Sequence, residues 1–367
     1  MYRIGIIGYG AIARVHATVL QMLPQLYPHL PVRPYLAAIC AGGPQSQANA
    51  RRDWPDVPQL SAPELFADPT IALVLCATPT GSHAEHVAHA LAAGKHVVCE
   101  KPLTVSRSQS LALWHQAQSQ GLLLAMNHHF RRIPALQQAR QWVADGQLGR
   151  GMSAHLRYFR SSNVRPDRPV TWRFSGDAGG VLVDLGSHLI DLTHYLFDQR
   201  IVRVQAQLRT VWPQRPDSHG VLTTVTSDDV AWLNAELADG MRISIEASKV
   251  VPGAADDIRI EAYGDQGSFV FDMADVNALQ TGRADAPAAM QRVQQWNRQS
   301  PQPTVPGAET STGSLAWHAA SWESALAHLA GEARQVCDGS AGVAVDSVIE
   351  AARTSAAQAS QWVEVLQ

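Results

Sequence analysis

Long apolar runs are missing from this chain of 367 residues. No stretch approaches the ~18 consecutive apolar residues of a membrane-crossing helix. Met1-Tyr2-Arg3 leads straight into a strand-like run, without the charged and apolar regions of a secretory leader. These absences point to a soluble, cytoplasmic protein with no membrane partner. Charge of one sign is equally scarce: charged residues make up 17% and the net charge is −3, so no field favours nucleic acid or an anionic surface. Cysteine is scarce too. Cys40, Cys76, Cys99 and Cys337 show no C-x-x-C spacing, and three of them lie in apolar strand-like runs. They read as reduced core residues, with no disulfide and no metal expected. What is present is a globular composition, 46% hydrophobic, and enough length for two domains.

The first 127 or so residues alternate strand and helix. The sequence predicts a strand over 3–8, a helix from Ala11 to about Leu23, a strand from Tyr35 to Cys40 and another from Ile71 to Ala77. Then come a helix over 82–93, a strand from His96 to Cys99, a helix over 106–120 and a strand from Leu122 to Met126. Continuous apolar strands separated by helices indicate a parallel sheet covered on both faces, a doubly wound domain. Pro24, Pro28, Pro31 and Pro34 stiffen its first return connection. From about Gly151 the pattern changes. Val202, Val204, Ala206 and Leu208 alternate with polar residues, as do Ile243 and Ile245, which predicts a large, mainly antiparallel sheet with one face in the core. Helical stretches are expected over 180–197, 315–337 and 343–360. An exposed loop is expected over 300–313.

Ile4-Gly5-Ile6-Ile7 followed by Gly8-Tyr9-Gly10-Ala11-Ile12-Ala13 fits G-x-G-x-x-A after a strand and at the opening of a helix. Gly8 permits the tight turn, Gly10 lets backbone approach a pyrophosphate, and Ala13 lets the helix pack closely. The helix amino terminus at Ala11 and Ile12 supplies free N–H groups for phosphate. This predicts a bound dinucleotide, NAD or NADP. The end of the second strand does not decide between them: Cys40-Ala41-Gly42-Gly43 has no acid for the ribose hydroxyls, and no arginine follows at once for a 2′-phosphate. Arg51 and Arg52 belong either to that subsite or to a solvated helix face.

A lysine where a strand meets a proline, Cys99-Glu100-Lys101-Pro102, sits at the carboxyl edge of the parallel sheet, where open α/β sheets bind ligands. Taken together, GYGAIARVHA at 8–17, ATPTGSHAEHVAHALAAGKHVVCEKPL at 77–103, GGVLVDLGSHLIDLTHYL at 179–196 and IRIEAYGDQGSFVFD at 258–272 resemble the Gfo/Idh/MocA oxidoreductases. The resemblance implies an amino-terminal Rossmann domain, 1–127, and an α/β domain, 128–367, for substrate binding and oligomerisation, whose last helix can pack back on the first. It implies a homo-oligomer, dimer or tetramer, through the open sheet face. It also implies hydride transfer between nicotinamide and a secondary alcohol or ketone of a sugar, cyclitol or related polyol. Some relatives are instead NAD-dependent glycosidases or dinucleotide-binding sensors.

By the resemblance Lys101 lies beside the substrate oxygen and the nicotinamide, where an ammonium stabilises developing negative charge. Asp184 and His188, four apart and on one face of a regular helix with Asp191, resemble the family's D-x-x-x-H signature. His188 is then the general base, an imidazole cycling near its ordinary pKa of ~6.5, and Asp184 binds substrate or tunes it. Thr78, Pro79 and His83 fall where the family contacts the cofactor, and Glu100, Asn127, Trp172 and Arg173 are further cofactor candidates. Ala41 would lie against the adenosine ribose. His16 is either a packed residue or a substrate contact. Arg131, Arg157, Arg160, Arg165 and Arg168 either favour an anionic or polyhydroxylated ligand or are solvated. His83, His86 and His89 spread over about 120° of a helix, too wide for one metal ion.

Overall fold

A computed structural model describes residues 1–174, 176–295 and 313–367. They form two compact units. The first holds Met1–Arg132 and the described residues of 297–343. Its sheet comprises β1 (Tyr2–Ile7), β2 (Pro34–Cys40), β3 (Leu73–Cys76), β4 (His96–Cys99) and β5 (Leu124–Met126), all parallel, in the order β2-β1-β3-β4-β5. These strands are short apolar runs because both faces are covered. On one face α1 (Ala11–Leu26) and α8 (Ser314–Leu329) bury Ala13, Ala17 and Leu20 with Ala319, Trp322 and Leu326. On the other, α3 (Ala62–Ala67), α4 (His83–Ala92) and α5 (Arg107–Ser119) bury Leu65, Val87, Leu91 and Leu113. The short α2 (Pro44–Asp53) follows β2. The order reverses between β1 and β3, so the ligand crevice of such a sheet opens where their carboxyl ends diverge.

Two expectations are corrected in this unit. Pro24 belongs to α1, not to the connection. The helix continues to Leu26 because Leu23 and Tyr27 are buried and the Tyr27 amide closes the end on the Leu23 carbonyl at 2.8 Å. The helix expected over 315–337 stops at Leu329. Beyond it the chain runs beside β5, where the Met126 amide donates to the Cys337 carbonyl at 2.7 Å. The whole of α8 counts with the first unit, and of the last helix, α9 (Gly339–Ala357), only 339–343 do. The loop expected over 300–313 lies outside the described residues except for Gly313, which caps α8.

The second unit holds the described residues of 133–296 and residues 344–367. Its strands are β6 (Gly151–Phe159), β7 (Ile201–Arg209), β10 (Val230–Leu237), β11 (Arg242–Ser248), β12 (Asp257–Gly264), β13 (Gly267–Asp272), β14 (Ala278–Arg283), β15 (Met290–Gln294) and β16 (Val363–Glu364). They form one sheet in the order β15-β14-β13-β12-β6-β11-β10-β7-β16, antiparallel except for the β6–β11 pair. A hairpin of β8 (Gln214–Pro216) and β9 (Leu222–Thr224) stands apart. Leu156, Tyr158, Ile245, Ala247, Ile258 and Ile260 face the core with α6 (Pro134–Ala144) and α7 (Ser187–Phe197), while Gln205, Trp232, Asn234, Glu246 and Arg259 line the other face. The period of two read from the sequence is this division.

Candidate active site

In the first unit the candidates gather along the carboxyl edge of the parallel sheet. Gly8 ends β1 at φ +84°, and a Cβ there would lie 2.6 Å from the Ala77 carbonyl oxygen, so only glycine fits. Gly10, the residue before α1, has open space where its Cβ would be. No side chain caps α1 and no acid occupies its first turn, which leaves the amides of Ala11, Ile12 and Ala13 to an anion. That edge fits a dinucleotide pyrophosphate. Ala41 follows β2, and Gln47 donates to the Gly42 carbonyl at 2.9 Å. Arg51 and Arg52 lie in the last turn of α2, the opposite end from Ala41, and Arg52 is tied to Asp53 at 2.9 Å, so neither arginine serves the strand end. The cofactor's 2′ preference is therefore not written in an arginine or an acid at this position.

Thr78 and Pro79 follow β3, with Ser82 donating to the Thr78 hydroxyl at 2.9 Å. His83 is buried beneath them. Its Nε2 faces the Thr78 carbonyl and its Nδ1 the Pro102 carbonyl, both at 2.9 Å, so the ring sits between the loops after β3 and β4 and when neutral donates to one of them. His86 is half-buried and His89 exposed, so the three helical histidines part company around α4. Cys76 and Cys99 are register partners beside His83, and the neighbouring Cys99 thiol lowers the Cys76 pKa against the effect of burial. An ion on this trio would need the lone pair of the His83 nitrogen nearest Cys99, Nδ1, which faces the Pro102 carbonyl.

Lys101 is half-buried after β4, followed by a cis peptide to Pro102. Glu100 turns inward. His16 Nε2 lies 2.8 Å and the Asn127 amide nitrogen 2.6 Å from its carboxylate. The Trp322 indole, which can only donate, reaches His16 Nδ1 at 2.8 Å, so the proton of His16 sits on Nε2 and points at Glu100. The second amide hydrogen of Asn127 goes to His318 Nδ1 at 3.0 Å. Burial pushes the Glu100 pKa up, but the bonds from His16 and Asn127 outweigh it and hold the carboxyl well below its usual range. A metal on His16, Glu100 and His318 would need the Nε2 lone pair while Trp322 occupies that of Nδ1, leaving a neutral ring no place for its proton. His129 stacks on His318 at 4.1 Å between ring centres, and burial draws its pKa down to about 4. His318 and Trp322 were invisible to sequence reasoning: they come from α8, some 200 residues downstream, with no motif to mark them.

In the second unit the expected regular helix over 180–197 starts differently. Leu182–Gly186 form a π-helical turn, and α7 begins only at Ser187. Gly180 has φ +93°, and the Asp228 carboxylate accepts the Leu182 amide at 2.7 Å, which sets this entry. The 100° spacing therefore does not run unbroken from Asp184 to His188, as the sequence pattern assumed. Lys249, just beyond β11, donates to the Asp184 carboxylate at 2.5 Å, and Arg173 Nε lies 3.7 Å from the same oxygen. Trp172 and Arg173 lie in a 3₁₀ turn, with the guanidinium 4.3 Å over the indole ring. His188 is buried, its ring 6.1 Å from that of Tyr158, whose hydroxyl donates to Asp256 at 2.7 Å. Asp191 is buried further along α7. Lys249 was missed because nothing in Ser248-Lys249-Val250 separates it from a solvated strand-end lysine.

The sequence-named arginines separate as well. Arg157 lies on the opposite sheet face from Tyr158, near Asp257 at 3.3 Å. Arg165 is paired with Asp167 in solvent. Arg131 lies in the first unit, in the turn after β5. Arg160 pairs with Asp256 at 3.3 Å, and Arg168, which feels the charge of Asp184, donates to the Asn163 side-chain oxygen at 3.0 Å. Their loop is fastened by Arg215, fully buried, which donates to the carbonyls of Arg165 at 2.7 Å and Asn163 at 3.0 Å.

Residues 2–128 match the oxidoreductase family with an NAD-binding Rossmann fold, and residues 136–270 match the GFO/IDH/MocA C-terminal domain. The chain belongs to the Gfo/Idh/MocA oxidoreductase family. As a member it is an NAD-binding dehydrogenase or reductase, its parallel sheet being the family's dinucleotide-binding domain. Levoglucosan dehydrogenase of Pseudarthrobacter phenanthrenivorans is 29% identical over 305 residues, 77% of this chain and 76% of that protein. The scyllo-inositol 2-dehydrogenase (NADP(+)) IolW of Bacillus subtilis is 30% identical over 271 residues, 73% of this chain and 68% of that one. A solved structure of levoglucosan dehydrogenase in complex with NADH and levoglucosan superposes with a TM-score of 0.91 at 27% identity, covering 100% of both chains. One family member thus carries NADH and another is named for NADP, so membership does not choose between them. No helix among the described residues is long and apolar enough to cross a membrane.

Proposed function

We propose that the protein oxidises a secondary alcohol of a sugar, cyclitol or related polyol, or reduces the matching ketone, using NAD or NADP. The observation that carries this reading is the single sheet edge on which Gly8, Thr78, Lys101 and Asn127 follow β1, β3, β4 and β5, placing a half-buried lysine beside a cradle for a dinucleotide. The bound cofactor supplies the hydride acceptor or donor at its nicotinamide. Lys101 stabilises negative charge on the reacting oxygen. His188 takes the hydroxyl proton in oxidation and Asp184, held by Lys249, binds a substrate hydroxyl. Gly8, Gly10, Ala11, Ile12, Ala13, Ala41, Thr78 and Pro79 bind the dinucleotide. Glu100, His83 and Asn127, given as cofactor contacts from sequence, also hold the loops that carry Lys101 and Thr78. The division of labour follows the two units: cofactor on the first, substrate on the second.

We also assign homo-oligomer contacts to the polar face of the nine-stranded sheet, where Trp232 is 38% exposed and donates to Glu246 at 3.0 Å. Light scattering tests this, with a monomer at micromolar concentration as the contrary result. The reaction is tested by following reduced-cofactor absorbance over a panel of sugars, inositols and anhydrosugars with NAD and NADP in parallel. Bond cleavage without net cofactor reduction would replace this reading with a glycosidase. Cofactor binding with no turnover of any kind would replace it with a sensor.

A further inference from the structure

The end of the β6–β11 pair carries more positive charge than its own carboxylates neutralise. Along these parallel strands Ala247 pairs with Tyr158 on the core face, and the ladder continues one step with the Arg160 amide on the Ser248 carbonyl at 2.8 Å. Lys249 and Arg160 therefore follow the buried face out of the sheet, toward the side on which α7 lies. Four cations meet at this end: Lys249, Arg160, Arg168 and Arg173. Among the described residues two carboxylates answer them. Asp184 takes Lys249 at 2.5 Å with Arg173 at 3.7 Å, and Asp256 takes Arg160 at 3.3 Å.

Among the described residues Arg168 has no carboxylate within ion-pair distance. Its guanidinium donates to the Ser162 carbonyl and the Asn163 side-chain oxygen and lies 5.9 Å over the Phe174 ring. The other nearby acids are already engaged: Asp229 is surrounded by Asn163, Arg215 and the amides of Val211 and Trp212, and Asp167 pairs with Arg165. Burial and the neighbouring Arg173 and Arg160 all disfavour the charge on Arg168, while Asp184 favours it, so these groups feel one another across a partly desolvated space. Arg215 holds the loop that presents Arg168 by taking its backbone carbonyls. The surplus is therefore built in, because a guanidinium stays charged at any working pH and its planar fork suits carboxylate or phosphate oxygens.

We infer that the substrate carries an anionic group, a carboxylate or a phosphate, besides its reacting alcohol, and that Arg168 and Arg173 receive it beside the Asp184–Lys249 pair. This rests on the polyol dehydrogenase reading and narrows it to sugar acids or sugar phosphates.

The test uses the full chain with saturating cofactor and matched sets: glucose, glucuronate and glucose 6-phosphate, then myo-inositol and its monophosphate. In at least one set the anionic member should exceed the neutral one at least tenfold in kcat/KM, an advantage that shrinks from 20 to 300 mM salt. Preference between glucuronate and glucose 6-phosphate separates the two anions. Arg168→Met and Arg173→Met should each lower the anionic-to-neutral ratio through KM, and Arg168→Lys should recover part of it. Melting temperatures of the cofactor-bound protein with the same compounds give a second readout that does not need turnover. Turnover of neutral polyols with no anionic advantage in either readout would overturn this inference and leave the dehydrogenase reading intact. Anion-selective stabilisation without hydride transfer would support the anion site and overturn the dehydrogenase reading instead.

Discussion

The carboxyl edge of the parallel sheet and the Asp184 end of the nine-stranded sheet are built on opposite plans. At the first, backbone does the work: the Gly8 turn, the uncapped start of α1 and the carbonyls of Thr78 and Pro102 that face His83. The side chains behind it, His16, Glu100, Asn127, His318 and Trp322, spend their hydrogen bonds on each other in the interior. At the second, charged side chains on a long loop and a strand end do the work, and several stand in solvent. The pyrophosphate is common to NAD and NADP, so a backbone cradle suits it. A substrate differs from enzyme to enzyme, and charged side chains on loops can change without disturbing the sheet.

The sharpest way to break this contrast is at Lys101, the one side chain of the first region assigned to the chemistry. Lys101→Ala should lower kcat by two to four orders of magnitude, the usual size of a lost charge-stabilising or proton-relaying group. Near-normal turnover with a true substrate would remove Lys101 from the mechanism. Next comes backbone against open space. Gly8→Ala places a methyl 2.6 Å from the Ala77 carbonyl at φ +84°, and should cost about 3 kcal/mol or more of stability in urea titrations. Gly10→Val has room in the fold and should melt normally, yet lose most of the melting-temperature rise that cofactor gives, because the added side chain fills the approach to the amides. Loss of fold in both, or of cofactor binding in neither, would undo the cradle.

The buried network offers a third measurement. His16→Leu takes a donor from the Glu100 carboxylate and an acceptor from the Trp322 indole, and should destabilise by about 3 kcal/mol, since hydrogen bonds to buried charges are worth about 1.5–3. Adding Glu100→Gln should return part of that loss; an unchanged deficit in the double variant would mean that the carboxylate was not the cause. The smallest effect is in pH. His129 titrates at about 4 in the folded chain, first because burial disfavours its charge, against an unfolded value of ~6.5. The unfolded chain therefore gains its proton first as pH falls, and stability drains between about pH 6.5 and 4. His129→Asn should flatten the melting-temperature curve over that window while leaving it unchanged above pH 7.

Much of the first region was legible because its signals are local. A glycine turn, a strand and a helix within thirteen residues have one geometric solution, and a lysine between a strand and a proline has one place on a parallel sheet. The same locality misled at Pro24, where burial of Leu23 and Tyr27 carries the helix past a residue that usually ends one. It misled again over 180–188, where Asp228, more than forty residues away, sets a π-helical turn inside a pattern that reads as regular helix.

The alternation of apolar and polar residues, the glycine motif and the strand-edge lysine determined from sequence alone the two architectures, the dinucleotide and the residue proposed to act beside it, because each depends on spacing of a few residues. Pairing across long separations belonged to the tertiary structure. Only folding brought Trp322 to His16 and Lys249 to Asp184, sent Arg157 to one face of the sheet, and let Arg168 feel the charge of Asp184. Charge in a sequence can be counted, but which charges neutralise one another depends on distances that only the packed chain defines.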